Sequence, residues 1–389
     1  MLKRFRIVWE VQKRELQRLG KGPYLFCMVV VPVFCVFFFL NIMSVGLPQG
    51  LPVAVVDQDN TIYSRALIRN LGVQQQSDVK MRTTSFDEAR IAMQKGQIYG
   101  IYYIPDGFAA NVIKGARPEI SYYFNACYLM AGSLTFRDMK MMSELANGKV
   151  ILSFAEARGV PTEDAMARIQ PIKVSSYVLG NRWLNYSIYL NNTILPGILQ
   201  LMIFMVTAYA IGMEIKLKTA REWLRRSKGS ISLALLGKLS VHFLIFFVVG
   251  LFMLASLYGY NSFPMGNGWG PMIANLMLLI VASQAMGIFF ISVLPTPRLG
   301  LSFATLLGML SFSIVGFTYP LTAMPPAIQA LSYIFPLRHY FLIYVDQALN
   351  ARAVYYSLFS YAFLVSFCLL PMLTMRRLKR ALIEFKYMP

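Results

Sequence analysis

Six long apolar stretches, at about 24–46, 191–213, 232–257, 271–294, 299–317 and 353–375, set the terms for this sequence. A helix needs about 20 apolar residues to cross the hydrocarbon core of a bilayer. In lipid every backbone polar group must find its partner within the chain, so runs of this length fold as helices. The expected fold is therefore a polytopic α-helical membrane protein with six transmembrane helices. The chain is 57% hydrophobic, more than an ordinary soluble domain carries, and the excess lies in these runs. The fifth run is the shortest and is rich in Gly and Ser.

Charge then orients the runs. Of the 37 Lys and Arg residues, 20 lie in 1–22, in 213–231, at Lys238, at Arg298 and in 376–389. These places hold only five acids: Glu10, Glu15, Glu214, Glu222 and Glu384. The polar insert at 47–183 is nearly balanced, with 15 basic and 12 acidic residues. Basic flanks stay on the cytoplasmic side. Both termini and the 213–231 segment are thus expected in the cytoplasm and the insert outside. The net charge of +19 does not indicate nucleic acid, because it sits beside spans on one face, where anionic lipid and topology account for it.

The first apolar run, Tyr24 to Val45, exceeds the roughly 7–15 residues of a signal-peptide core. No small-x-small cleavage site follows it, so a retained anchor at 23–46 is expected. Before it, Leu2, Phe5, Trp9, Leu16 and Leu19 alternate with Lys3, Arg4, Arg6, Lys13, Arg14 and Arg18. That pattern predicts a basic amphipathic helix within 1–22, lying in the cytoplasmic interface of the bilayer.

The insert reads as an extracytoplasmic α/β domain. Val53–Asp57 is a short buried strand, and Asp59-Asn60-Thr61 offers a cap for a helix over Ile62–Leu71. Ser85 with Glu88 forms a capping-box signal for a helix to about Lys95. Ile98–Ile104 and Glu119–Phe124 read as strands, with a helix near Pro105 between them. Leu129–Arg158 predicts a long helix with a break at Gly148, and Val174–Leu179 a returning strand. Alternating strands and helices imply a small layered sheet. Cys127 is alone in the insert, so that domain has no internal disulfide; Cys27, Cys35 and Cys368 lie in spans.

Residues 184–375 hold the second to sixth spans. Between the fifth and sixth, Pro320, Pro325, Pro326 and Pro336 break 318–350 into pieces too interrupted for a straight span. Re-entrant or interfacial helices are expected there, on the outer side. Residues 376–389 read as a basic cytoplasmic tail.

The spans offer little chemistry. Glu214 and Lys238 lie near cytoplasmic ends, and His242 is the one clear ionisable group within a span. Proton-driven carriers need buried carboxylates or His chains, which are missing. A phosphate-binding loop needs a glycine pattern followed by Lys and a hydroxyl, and Gly237-Lys238-Leu239 lacks both. Asp57 and Asp59 read as strand-end caps rather than a catalytic pair. No metal-ligand spacing and no enzyme active site emerge. The 214–228 segment, dense in charge, is one helix long. Its apolar side of Ile215, Leu217, Trp223 and Leu224 could dock a cytoplasmic partner, with Trp223 as anchor.

Two runs carry a specific resemblance. Glu214, Thr219, Ala220, Arg221, Glu222, Trp223, Leu224, Gly229-Ser230 and Ala234–Lys238 resemble the coupling-helix region of ABC-2-type exporter permeases, in the branch with a large external domain after the first span. Gly316, Phe317, Thr318, Tyr319, Pro320, Met324, Pro325, Ile328, Leu331, Ser332, Pro336, Leu337 and Arg338 resemble the signature before that family's last span. Lys216 and Lys218 depart from the pattern, standing where many relatives have Glu and Gly. The resemblance covers nearly the whole chain.

It implies a multi-pass subunit of the bacterial inner membrane that binds no cofactor itself, with ATP and magnesium held by separate ABC ATPase subunits. Glu214, Thr219, Arg221, Glu222, Trp223 and Leu224 would receive the ATPase motion. Phe317, Pro320, Met324, Pro325, Pro336 and Arg338 would form an outer gate. A second permease chain, identical or not, is implied, and in a double-membrane bacterium a periplasmic adaptor and outer-membrane channel. Apolar spans suit amphipathic or hydrophobic cargo, drug-like or lipid-like. Gly300, Ala304 and Gly308 recur every four residues, as close helix packing requires, at either a dimer seam or an internal contact. The competing reading is a non-transporting receptor or assembly scaffold whose insert binds a ligand.

Overall fold

A computed structural model describes residues 2–20, 23–169, 174–182 and 184–384. The chain divides into two compact units, Val45–Tyr177 and a second made of Met1–Ser44 with Val178–Pro389.

The first unit is a four-stranded sheet flanked by helices. In chain order it contains β1 (Leu51–Asp57), α3 (Ile62–Leu71), β2 (Ser77–Thr83), α4 (Phe86–Gln94), β3 (Gly100–Ile104), α5 (Phe108–Ile113), β4 (Ser121–Phe124), α6 (Leu129–Ala157) and α7 (Thr162–Ile169). The strand order is β2-β1-β3-β4. β1 pairs parallel with β2 and with β3, and β4 runs antiparallel on β3. Period-two alternation explains the layering. Val53 and Val55 join Leu67, Leu71 and Met139 on one face, while Ala54 and Val56 join Ala89 and Ala92 on the other.

The helices begin where the sequence indicates. The Thr61 hydroxyl accepts from Ser64 N, and Ser85 Oγ accepts from Glu88 N. Asp57 accepts from the backbone N–H groups of Asp59 and Asn60 and from Ser64 Oγ, and Asp59 accepts from Thr61 Oγ1 and Ala109 N. Both acids are consumed in closing the turn after β1. Three expectations differ. α6 runs unbroken through Gly148, 174–179 carries no regular secondary structure, and β2 is a strand the apolar pattern does not mark. β2 is an edge strand whose residues Lys80 and Arg82 are both exposed, so backbone pairing rather than burial defines it.

The second unit is helical. It contains α1 (Leu2–Leu19), a π-turn at Phe26–Val30 leading into α2 (Val31–Ile42), α8 (Tyr186–Lys216), α9 (Ala220–Arg226), α10 (Ile231–Leu254) with a π-turn at Ala255–Tyr260, α11 (Trp269–Val293), α12 (Pro297–Ile314), α13 (Pro326–Ser332), α14 (Pro336–Tyr344), α15 (Leu358–Ser366) and α16 (Leu370–Glu384). Among the described residues, five helices are long and apolar enough to cross a membrane: Tyr186–Lys216, Ile231–Tyr260, Trp269–Val293, Pro297–Ile314 and Val354–Glu384. Phe26–Ile42 is apolar and shorter. Residues expected as a basic tail instead continue the last helix to Glu384, because Leu378 and Leu382, one turn apart, are buried in the core. Residues 385–389 lie outside the described part.

α8 is the central helix, packing on α2, α11, α12 and α14. Small residues permit the approach. A Cβ at Gly308 would lie 2.4 Å from Leu201 Cδ1, and one at Gly197 only 2.3 Å from the Phe312 ring. Gly300 meets Ile291 in the same way, and Ala304 is buried. The small-residue stripe of α12 is thus an internal seam, which decides between the two readings its spacing allows.

Candidate functional site

The site grows from a turn that the sequence forces at the end of α8. Lys218 (φ 61°) and Lys228 (φ 54°) adopt left-handed backbone on either side of α9, and Gly229 follows at φ 78°. Ser230 Oγ then accepts from Leu233 N to start α10. α9 is seven residues long, too short to hold itself together in water. Packing holds it: Ala220, Trp223 and Leu224 are buried, while Arg221, Arg225 and Arg226 are exposed. The Trp223 indole is 0% exposed and lies with Ile211, Ile215, Leu235, Leu378 and Leu382. Trp223 therefore faces the chain's own core, and the outward surface of α9 is its arginine face. The anchor expected for a partner is a strut for the bundle instead.

Beneath α9 lies a buried ion network. Arg14 donates from Nη1 and Nη2 to the two oxygens of Glu214 at 2.8 and 2.9 Å. Arg18 donates to Glu214 Oε1 as well. Lys238 Nζ is 2.9 Å from Glu214 Oε1 and 2.9 Å from Glu15 Oε2, and it donates to Ala210 O at 3.2 Å. His242 Nε2 is 3.0 Å from Glu15 Oε1. Thr219 Oγ1 donates to Glu214 Oε2 at 2.6 Å, and Arg14 reaches Glu222 at 3.8 Å. The Lys238 ammonium also sits 5.1 Å from the Trp223 ring centroid, within cation–π range.

Burial works to raise the Glu15 pKa, but the hydrogen bond with His242 and the Lys238 charge prevail and hold it at about 2. Burial likewise opposes the Arg14 charge, and its pairing with Glu214 raises that guanidinium's pKa nonetheless. Charges this deep are tolerated only when each has a partner. Four elements, α1, α8, α9 and α10, are thus tied through one carboxylate, Glu214.

α1 is therefore built into the helical unit. Val11, Arg14, Glu15 and Leu19 are buried. A Cβ at Gly237 of α10 would lie 2.6 Å from Val11 Cβ, so α1 and α10 touch at backbone range. Gln12 Nε2 adds a bond to Ser240 Oγ at 2.8 Å. Phe5, Trp9 and Leu16 remain exposed on the opposite face. The sequence reading missed Arg14, Glu15 and Arg18 as site residues. The available signal was electrostatic: Glu214 and Lys238 beside apolar spans need partners, and Arg14 and Arg18 share one helix face.

The 318–350 segment stands at the other end of α8. Tyr189 and Glu214 are 25 positions apart, about 38 Å along a helix axis. Gly316 ends α12 at φ 105°. Pro326 and Pro336 each start a short helix at its first turn, where a missing N–H costs nothing. Arg338 is buried; its Nη1 donates to Val315 O at 3.1 Å, and its guanidinium lies 4.8 Å from the Tyr333 ring centroid. The Tyr189 hydroxyl donates to Phe317 O. Asn275 Nδ2 donates to Tyr340 O at 3.1 Å. Phe317, Pro336 and Arg338 are thus brought together in the core, whereas Pro320 and Pro325 are exposed and Met324 is half-buried.

A polar line joins the ends. Thr193, Gln200, Thr207 and Glu214 recur every seven residues along α8, and each is 0% exposed. Gln200 Nε2 donates to Ser311 Oγ of α12 at 3.3 Å. Tyr258 donates to Asn192 Oδ1 at 2.7 Å one residue from that line. Among the described residues no group of three or more His, Cys, Asp or Glu side chains could hold a metal ion.

A family model described as "ABC-2 family transporter protein" matches residues 23–375. The chain is also similar to the linearmycin resistance permease protein LnrN of Bacillus subtilis (strain 168), with 22% identity over 355 residues, covering 83% of this chain and 86% of the relative.

Proposed function

The chain belongs to the ABC-2 family of transporter proteins, and on that premise we propose that it is the membrane-spanning permease subunit of an ATP-driven exporter for amphipathic or hydrophobic, drug-like or lipid-like molecules. Separate cytoplasmic ATPase subunits would bind ATP and magnesium and dock on the arginine face of α9. Phe26–Ile42 would form the first of six spans, and the α/β unit would lie outside. A second permease chain would complete the pathway. A relative named for resistance to linearmycin fits a drug-like cargo.

One observation carries this reading: α9 is exposed and basic on one side, buried on the other, and tied at its start to the bases of two spanning helices, by the Thr219 hydrogen bond to Glu214 of α8 and through the Glu214–Lys238 ion pair to α10. A push on α9 would reach α8 through Glu214 and Thr219, α10 through Lys238, and α16 through Trp223 and Leu382. α8, tightly packed along its length, would carry the displacement about 38 Å to the Tyr189–Phe317 contact, where the exit would open.

Charge reversal tests the docking step. With Arg221→Glu and Arg225→Glu together, the detergent-extracted chain is expected to reach the membrane at normal levels and to lose the ATPase that co-purifies with the unaltered protein. Undiminished co-purification and undiminished substrate-stimulated ATP hydrolysis would remove α9 from the coupling path.

A further inference from the structure

The last helix carries a surface that the proposed transport cycle does not use. Leu378 and Leu382 turn α16 inward. At 3.6 residues per turn, Arg376 and Arg380 fall about 160° away from Leu378, on the opposite face. One and two turns earlier, the same outward side shows Leu369, Met372 and Leu373, exposed by 57%, 65% and 79%. The face is therefore divided along its length, apolar first and then cationic. An open groove of about 650 Å³ lies along the cationic part, lined among the described residues by Arg376, Arg377, Arg380, Ala381 and Glu384. Arg377 is fixed there by donating Nη2 to Val293 O at 3.1 Å, the carbonyl at the end of α11. Three guanidinium groups against one carboxylate give the groove a positive character.

We propose that this face is a binding site for one anionic phospholipid, its phosphate on Arg376 and Arg380 and its acyl chains along Leu369, Met372 and Leu373. Charge complementarity identifies the headgroup, since guanidinium presents paired N–H donors that match phosphate oxygens. The apolar residues in line with the arginines identify a lipid rather than a soluble phosphate or a polar protein surface. Topology alone requires basic residues near the end of a span. It does not require them on the one face that continues an exposed apolar strip and borders a groove. A lipid seated here would brace α16, whose inner face holds Trp223 through Leu378 and Leu382.

Native mass spectrometry of the full chain, titrated with phosphatidylglycerol or phosphatidylcholine, tests the assignment. Near a charged bilayer each arginine contributes about a fivefold gain in anionic-lipid binding. The chain is expected to retain phosphatidylglycerol in preference to phosphatidylcholine, and Arg376→Gln with Arg380→Gln to lower that preference roughly 25-fold. Arg376→Lys with Arg380→Lys should keep part of it, and Lys149→Gln with Arg158→Gln in the α/β unit should leave it unchanged. Both arginines are exposed, and an unaltered melting temperature in phosphatidylcholine nanodiscs checks that the glutamine variant is folded. Equal retention of the two lipids by the unaltered chain would overturn the proposal. So would a folded glutamine variant that keeps its preference, and one that keeps it while losing the co-purifying ATPase would assign the face to that partner.

Discussion

The two ends of α8 are fastened by opposite kinds of chemistry. At Glu214 the fastening is ionic, buried and shared among four elements. At Tyr189 it is neutral, without an ion pair among the described residues: the Tyr189 hydroxyl on Phe317 O, the Tyr344 hydroxyl on Ile188 O, the buried Arg338 held by the Val315 carbonyl, aromatic contacts with Phe317, and helices interrupted by proline. Removing one partner of a buried charge cluster costs about 3–5 kcal/mol, whereas an ordinary hydrogen bond contributes about 0.5–1.5 kcal/mol. On the proposed mechanism the ionic end would move as a block and the neutral end would yield. A displacement begun at α9 would be conserved through the first and released at the second.

The contrast can be broken most directly at its ionic end. Glu214→Ala removes the carboxylate that Arg14, Arg18 and Lys238 share, leaving Lys238 with Glu15 and Arg14 with Glu222 at 3.8 Å, and about 3–5 kcal/mol of stability should be lost in thermal or denaturant unfolding of the purified chain. A loss below about 1 kcal/mol would mean that this end is not the rigid one. Trp223→Ala empties a fully buried indole site and is expected to cost about 3–5 kcal/mol by the same measurement. A near-neutral result would return Trp223 to an outward-facing role.

Acid probes the same end more gently. Glu15 is held at about 2 against an ordinary 4.5. A carboxylate depressed in this way stabilises the fold above its unfolded pKa, and that contribution disappears as pH falls through the folded value. Stability should therefore decline between about pH 4.5 and 2, and Glu15→Gln, already lacking the charge, should show a flatter profile over that window.

Changes toward the neutral end should be smaller. Gly197→Ala forces a methyl against Phe312, an overpacking cost of about 1–3 kcal/mol. Tyr189→Phe removes only the hydrogen bond to Phe317 O, about 0.5–1.5 kcal/mol. If Tyr189→Phe proved as damaging as Glu214→Ala, the assignment of rigid and yielding ends would be reversed.

Much of this architecture could be read from the residues, and the parts that could not share a cause. Apolar runs of span length marked the helices, and prolines marked where 318–350 breaks. Capping residues Thr61 and Ser85 located the starts of α3 and α4. Direction of facing was not legible. Trp223 on a seven-residue helix can point outward or inward, and the neighbours that settle it, Leu378 and Leu382, lie 155 and 159 positions later. Arg14 and Arg18 in a basic helix look like lipid contacts until Glu214, 200 residues away, supplies the partner. Gly300, Ala304 and Gly308 announce a close approach without saying to what; the structure supplies Ile291 and Leu201. β2 holds alternating polar residues and is fixed by its pairing with β1. By contrast, 174–179 has the apolar residues of a strand, and among the described residues it pairs with none.

Everything proposed for α9 requires that its arginine face share a compartment with the nucleotide and that the α/β unit lie across the membrane from it. Cys127 is exposed in that unit, so a membrane-impermeant maleimide is a direct probe in intact cells. The account predicts that Cys127 is labelled without lysis, and that Arg225→Cys, in a chain also carrying Cys127→Ser, is labelled only after the cells are broken. Labelling of position 225 in intact cells, with Cys127 protected until lysis, would contradict it.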